Sequence, residues 1–338
     1  MTATPMVRYA HASDGMHIAY TVTGAGPLFV RMPGVVVGLA RRGCRLAAQF
    51  ADEAERHFRM IEYDARGHGL STRGITSFTL DDTMRDLEAV LAATHADNPI
   101  LFATGQQAPA ALRYAAEHPG ATAAVVLFDP FPFGEHSANA PAAILLARSN
   151  FAAVLELTLA PDADGPGREL LESQAGMITP EDFIVMTSDH IHRDPRPWID
   201  QVTAPILLIQ TWAASHTPEE RDRVAGQLPA ARRVLLPGRR PYPYGENLLP
   251  AFAAIEEFLR ESHSVAPASA THLTVREKEI LVALASGNGN RTIAENLSLS
   301  EKTVARHVAN IYQKLGVHNR AQATSLALGA TGHDPLAW

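Results

Sequence analysis

The chain has 338 residues, 46% apolar and 19% charged, which suits one large domain and one small one, each with its own core. No apolar run is long enough to span a bilayer, the stretch MTATPMVRYAHASDG lacks the basic and apolar regions of a secretory signal, and the single Cys44 excludes an internal disulfide. No membrane anchor is therefore expected, and a reduced cytoplasm fits. The net charge of −7 argues by itself against nucleic acid, but from Ala268 onward seven Lys plus Arg face five Asp plus Glu. That balance of +2 leaves −9 for the rest, and all three lysines, Lys278, Lys302 and Lys314, lie in the small segment.

Taken in order, two β-branched and aromatic stretches joined through Ser13, Asp14 and Gly15 read as a hairpin, and Pro27 to Met32 reads as a third strand. Leu46, Phe50 and Ala54 at helical spacing predict a helix over 39–56, and the chain returns as a strand over 58–63. After the glycine-bearing turn DARGHGLS come a helix carrying Met84, Leu87, Val90 and Leu91, a strand over 100–103, a turn at TGQQAP, a helix through Tyr114 and a strand over 123–128. Asp64 and Arg66 read as turn-stabilising or ion-paired groups. Between about 131 and 200 the alternation breaks into helical pieces with Pro/Gly/Asp-rich joints. It resumes with a strand over 205–211, a helix over 218–228, a strand over 233–236 and a helix through Phe252, Ile255 and Phe258. Strands alternating with helices of this length predict a doubly wound, mostly parallel sheet.

Over residues 8–260 this pattern resembles the α/β-hydrolase family, carried by DARGHGLS, by the strand-turn-helix around Gly105 and by APILLIQTWAASHTP. The resemblance implies a lid over 131–200 and a nucleophile on a sharp turn of pattern G-x-S-x-G. Gly105 stands at the nucleophile's position, Ala214 at the acid's and Pro241 at the histidine's, so none of the three roles is filled and no hydrolytic activity is expected. Thr104, His216, Ser71 and His68 are the neighbours that a rescue would have to use. What remains is a lidded pocket beyond the strand ends. Its expected wall is Met32, Val35, Gly105, Gln106, Trp212, Tyr242 and Tyr244, with Phe131, Phe133, Phe151, Leu155 and Phe183 from the lid, and Gln107 beside it. His190 and His192, two apart on a segment read as helical, do not form a metal site, and no cofactor is expected.

ESHSVAPASATH reads as a linker, placed at 262–270 between a domain at 1–261 and one at 271–332. In the second domain Thr274 and Glu277 form a capping-box pattern before a helix from Val275, which SGNGN ends. Ile293, Ala294 and Leu297, then Leu299 at a corner, then Val304, Val308, Ile311, Tyr312 and Leu315, describe two helices with one apolar stripe, Ser300 capping the second and Gly316 closing it. A fourth helix is expected from Arg320. The run SEKTVxxHVxNIYxKLGVxxRxQA within 273–328 resembles the LuxR-type DNA-binding domain, a four-helix, all-α helix-turn-helix unit. The resemblance implies operator DNA as partner, a homodimer, and contacts at Ala305, Arg306 and Ala309 for bases. It implies Asn290, Arg291, Thr292, Ser300, Lys302, Thr303, His307, Asn310 and Lys314 at or near phosphates. The expected whole is a regulator whose emptied hydrolase domain binds a small, largely apolar effector. The rivals are an active esterase with non-standard residues fused to a DNA-binding tail, a phosphorylation-driven receiver, whose pattern the first half lacks, and a lid that binds another protein.

Overall fold

The computed structural model describes residues 5–34, 39, 45–133, 140–159, 172, 176–213, 217–238, 242–265, 275–297, 299–315, 320 and 323–324. The chain divides into two compact units, Met1–Arg260 and Glu261–Trp338.

In the first unit, β1 (Arg8–His11), β2 (His17–Gly24), β3 (Leu28–Arg31), β4 (Arg59–Tyr63), β5 (Ile100–Thr104), β6 (Ala124–Phe128), β7 (Ile206–Thr211) and β8 (Arg232–Leu236) form one sheet. Their order is β1-β2-β4-β3-β5-β6-β7-β8. β2 is antiparallel to both β1 and β4, and the other pairs are parallel. Because side chains alternate along a strand, the central strands feed two cores. In β6, Ala124, Val126 and Phe128 pack on the face covered by α1 (Arg45–His57) and α9 (Leu248–Val265). Val125 and Leu127 pack on the face covered by α2 (Leu80–Thr94), α3 (Ala108–Glu117) and α8 (Pro218–Gln227). The Leu46, Phe50 and Ala54 stripe and the Met84, Leu87, Val90 and Leu91 stripe are the buried faces of α1 and α2.

Between β6 and β7 lie α4 (Ala140–Ser149), α5 (Phe151–Leu159), α6 (Pro180–His190) and the short α7 (Arg196–Ile199), within the span expected as a lid. α9 continues to Val265, beyond the domain end read at 261 and into the span read as linker. The second unit contains α10 (Val275–Ala285), α11 (Asn290–Asn296) and α12 (Glu301–Leu315) around Ile280, Leu284, Ile293, Val304 and Ile311. Thr274 and Gly316, expected caps, lie outside the described residues, as does most of the expected fourth helix.

β4 flanks β3 on one side and β5 flanks it on the other, so the winding reverses there and leaves a crevice beyond the ends of β3 and β5. The turn that follows β4 braces this end of the sheet. Asp64 accepts the N–H groups of Leu39 (2.6 Å) and Leu70 (2.9 Å). A Cβ on Gly69 would fall 2.2 Å from the Asp64 carboxylate, at a φ of +55°, so only glycine fits. Arg66, expected as a turn or ion-pair group, is buried among three carboxylates rather than paired to Asp64. It reaches Asp86 at 2.7 Å, Asp82 at 3.0 Å and Asp14 at 2.6 Å. Arg66→Met would keep the bulk but strand Asp86 without its ion-pair partner and leave Asp82 only Arg85 at 2.7 Å, so a loss of about 3–5 kcal/mol in unfolding free energy is expected from urea melts. A loss under about 1 kcal/mol would mean that water reaches the cluster and compensates it.

Candidate functional site

Among the described residues, two places correspond to the sites expected from the sequence. The first is the crevice. β5 ends at Thr104 and α3 begins at Ala108, and the chain makes the corner in one 3-10 turn, Gly105–Gln107. Gly105 has φ +50°, the left-handed region that a nucleophile elbow occupies and that favours glycine. The Phe131 ring lies over it, and a Cβ added there would come 3.3 Å from Phe131 Cε2. The missing side chain is thus replaced by an aromatic ring from the lid, not by open space.

The cleft beside this turn has a volume of about 50 Å³ and is lined by Gly105, Gln106, Pro109, Phe131, Pro132, Phe133, Ala140, His190, Ile191 and Arg193. Of the wall expected from the sequence, it brings together Gly105, Gln106, Phe131 and Phe133. Met32, 1% exposed, is packed among the core side chains on the α2 face. Tyr244 is buried with its hydroxyl accepting a hydrogen bond from Arg31, and Tyr242, Phe151, Leu155 and Phe183 pack in the core on the opposite face. Trp212 is 53% exposed, stacks on the Arg221 guanidinium at 4.9 Å and borders a separate surface depression. Val35, Ala214, His216 and Pro241 lie outside the described residues.

Of the polar floor of the cleft, Gln107 was read beside the expected wall, whereas His190 and Arg193 were not among the expected ligand residues. Gln107, 1% exposed, places its Nε2 3.4 Å from His190 Nε2. His190 closes α6 and meets Phe78 edge-on at 5.1 Å. Burial and the adjacent Arg193 charge hold its imidazole well below the usual range, against the Met186 carbonyl, so the ring is neutral. Arg193 is 8% exposed and donates from Nη2 to Phe78 O (2.6 Å), Thr79 O (3.2 Å) and Thr83 Oγ1 (2.8 Å), fastening the lid to the first turn of α2. Burial brings its guanidinium down to about 9, against the fields of Asp189, Asp82 and Asp86. The segment SDHIHRD carried no spacing signal for this role, because the floor is assembled from residues 107, 190 and 193 by the fold.

Asp129 ends β6 with a φ of +42° and accepts from Thr211 N–H (2.8 Å) and Thr211 Oγ1 (2.5 Å). Its carboxylate therefore holds β7, and no imidazole among the described residues pairs with it. Burial lifts its carboxyl from 3.8 to about 6, the Thr211 bonds and Arg221 opposing.

The second place is the helix pair of the C-terminal unit. Ser300 Oγ accepts from Thr303 N–H at 3.1 Å and lies 2.7 Å from Thr303 Oγ1, which caps α12 as expected. Val304, Val308 and Ile311 are buried, whereas Ala305, Arg306, Ala309 and Asn310 are exposed along one face. His307 and Thr303 are half-buried. In α11, Thr292 is exposed, Asn290 half-buried, and Arg291 makes a solvent-exposed pair with Glu295 at 3.3 Å. Lys302 and Lys314 belong to α12, their side chains outside the described residues. Arg276 donates to Leu297 O, and Arg320 donates to Leu284 O (3.2 Å) and Asn288 O (2.6 Å), so the corner and the end of α10 are held by guanidinium groups.

With this geometry in hand, comparison with known proteins is informative for each unit. The family described as bacterial regulatory proteins, luxR family, matches residues 271–327, and that described as alpha/beta hydrolase fold matches residues 41–172. The probable transcriptional regulatory protein SgaR of Hyphomicrobium methylovorum is 52% identical over 54 residues, 16% of this chain and 26% of that protein. The CsgBAC operon transcriptional regulatory protein of Escherichia coli K12 is 51% identical over 55 residues, again 16% and 26%. The chain thus spans about a quarter of the length of these curated relatives. Among solved structures, a hydrolase from Pseudomonas aeruginosa PA01 superposes with a TM-score of 0.63 at 21% identity, covering 75% of this chain and 98% of that one. A thermophilic esterase from Thermogutta terrifontis gives 0.65 at 19%, covering 76% and 99%. The chain therefore joins an α/β-hydrolase fold to a C-terminal LuxR-type helix-turn-helix domain.

A raised carboxylate pKa means that the folded state holds the proton longer, so Asp129 contributes stability at low pH that is lost as pH rises from about 4 to about 6. Asp129→Asn should flatten this decline by at most about 3 kcal/mol, measured as unfolding free energy across that range. An unchanged slope would place the titration elsewhere.

Proposed function

We propose that this protein is a ligand-responsive, one-component transcriptional regulator in which a hydrolase-fold domain emptied of its catalytic groups serves as sensor for a small molecule. The observation that carries the DNA-binding half is the match at residues 271–327 together with the face of α12, where Ala305, Arg306, Ala309 and Asn310 stand exposed opposite buried Val304, Val308 and Ile311. A capped second helix with a free outer face suits the major groove, while the first helix braces on phosphates. Two such domains in a homodimer would read half-sites about 34 Å apart. Of the outward side chains read as base contacts, only Arg306 has hydrogen-bonding reach.

Supporting the sensor half is the turn at Gly105, which keeps the backbone shape of an elbow and carries no side chain to attack a carbonyl. Activated nucleophile, base and orienting acid act as a unit, so loss of the nucleophile alone removes the expected covalent route. The effector takes the place of a substrate in the cleft, and control of DNA binding follows if it favours one state of the dimer over another.

Two experiments test this reading. Arg306→Ala should weaken binding to a selected operator by about 1–3 kcal/mol in gel-shift titrations at fixed salt, with non-specific binding little changed. Equal loss on all sequences would make Arg306 a phosphate contact. For the sensor, the wild-type chain should show no turnover of aryl esters, and Gly105→Ser should not restore it. That variant should also lose about 1–3 kcal/mol of stability, since serine would be held in a left-handed conformation against Phe131. Turnover by the wild type that disappears on changing Thr104 or His216 would instead establish the enzyme.

A further inference from the structure

Among the described residues, buried polar atoms without a hydrogen-bond partner occur at several places, and one group of them, on Gln107, His190 and Arg193, lies beneath the elbow. Arg193 leaves Nε and Nη1 without a partner, although both atoms are shut away from solvent, and Gln107 leaves Oε1 in the same condition. A buried guanidinium with two idle nitrogens is costly, because donors removed from water forfeit their hydration if nothing replaces it. Arg193 is hydrogen-bonded to two carbonyls and a hydroxyl and lies 4.7 Å from the Phe78 ring centroid, and among the described residues it forms no ion pair. The carboxylates whose fields reach it are committed elsewhere. Asp82 and Asp86 hold Arg66, and Asp189 accepts the Phe78 N–H.

Arg193 stands between two spaces. On its outer side is an open depression bordered by Asp81, Asp189 and Asp194 together with Arg113, so its charge is mixed, with the acidic groups in excess. On its inner side the described lining of the cleft holds no carboxylate, and Arg193 is its one cation beside the neutral His190. Gln107 can turn its amide over, giving its oxygen to the His190 Nε2–H and leaving the NH₂ for a ligand, since the 3.4 Å contact serves either orientation. Arg193 Nε and Nη1 and the Gln107 NH₂ then all donate, with the His190 Nδ1 lone pair the one free acceptor beside them, and an ionised carboxylate is a group that only accepts.

We propose that the effector bound at this site carries a carboxylate, seated against Arg193 and Gln107, with its apolar part against Phe131 and Phe133. This rests on the sensor reading above and narrows it to a class of compact aryl or alkyl acids. The size of the cleft agrees: about 50 Å³ holds a few water-sized groups, so it takes a head group and not a whole molecule.

The test uses the full chain and matched probes: benzoate and phenylacetate against benzamide and phenylacetamide, titrated calorimetrically at constant ionic strength. At least one acid should bind about tenfold or more tightly than its amide, the least expected of a charge-assisted hydrogen bond in a dry site. Arg193→Gln should erase that preference. Because Arg193 also fastens the lid, Gln107→Met gives a second variant that leaves those tethers intact, and it should weaken the acids more than the amides. Amides binding as well as acids, an acid preference that survives Arg193→Gln, or crystals grown with benzoate that show only ordered waters at Nε and Nη1 would each overturn the carboxylate. If neither acids nor amides bind, and Arg193→Gln binds operator DNA as the wild type does, the cleft is not the effector site and the sensor reading fails with it. Binding of amides alone removes the carboxylate and leaves the sensor reading standing.

Discussion

Two buried guanidinium groups flank the first turn of α2, and their unequal treatment organises this end of the first unit. Arg66 is surrounded by Asp14, Asp82 and Asp86, which join the hairpin, the turn after β4 and α2 into one charged knot. Arg193 reaches the same turn from the lid and is met by the carbonyls of Phe78 and Thr79 and the Thr83 hydroxyl. Removing an ion from water costs several kcal/mol unless it is compensated. The first guanidinium is compensated by the protein's own charges; the second has dipoles, the Phe78 ring face at 4.7 Å and carboxylates that do not pair with it, and burial brings it down to about 9. Both are structural fastenings, and on the proposed reading the second also has donors to spare for a ligand.

On the proposed reading, the elbow beside it keeps the shape of a catalytic turn without its chemistry. A left-handed residue between β5 and α3 is demanded by the sharp reversal from strand to helix, and glycine satisfies that demand at less cost than serine does. Once the side chain is gone, Phe131 can settle over the turn. The same packing that removes room for a nucleophile supplies an apolar wall. Asp129 fits this account: a strained, buried carboxylate at the end of a parallel strand, spent on Thr211 and thus on holding β7.

Much of this architecture was legible in the residues because hydrophobic period reports which face an element buries. The stripe Leu46, Phe50, Ala54 and the capped run after Ser300 both appear as read, and Val304 is fully buried where the spacing put it in the core. The strand order was not legible, since alternation of strand and helix is the same for several windings. Nor was the wall of the cleft. Met32, Tyr242 and Tyr244 lie close to strand ends, but proximity in sequence does not say on which side a ring lies, and Arg31 draws the Tyr244 hydroxyl into the core. Arg193 and Gln107 were invisible as a pair for another reason. An unsatisfied donor is a property of everything around it, and 86 residues of chain separate the two.

On the proposed reading, the thinness of direct base recognition bears on how a ligand can matter. Ala305 and Ala309 offer only methyl groups to a base edge, so Arg306 stands nearly alone as a hydrogen-bonding reader on that face. A single helix with one such side chain discriminates weakly, and the rest of the specificity must come from DNA shape and from the spacing at which two copies engage their half-sites. Spacing is a property of the dimer and not of the reading helix. A protein built this way is most sensitive to whatever sets the geometry of its paired domains. A ligand whose affinity differs between two such geometries can therefore regulate binding without touching the DNA-contacting surface at all.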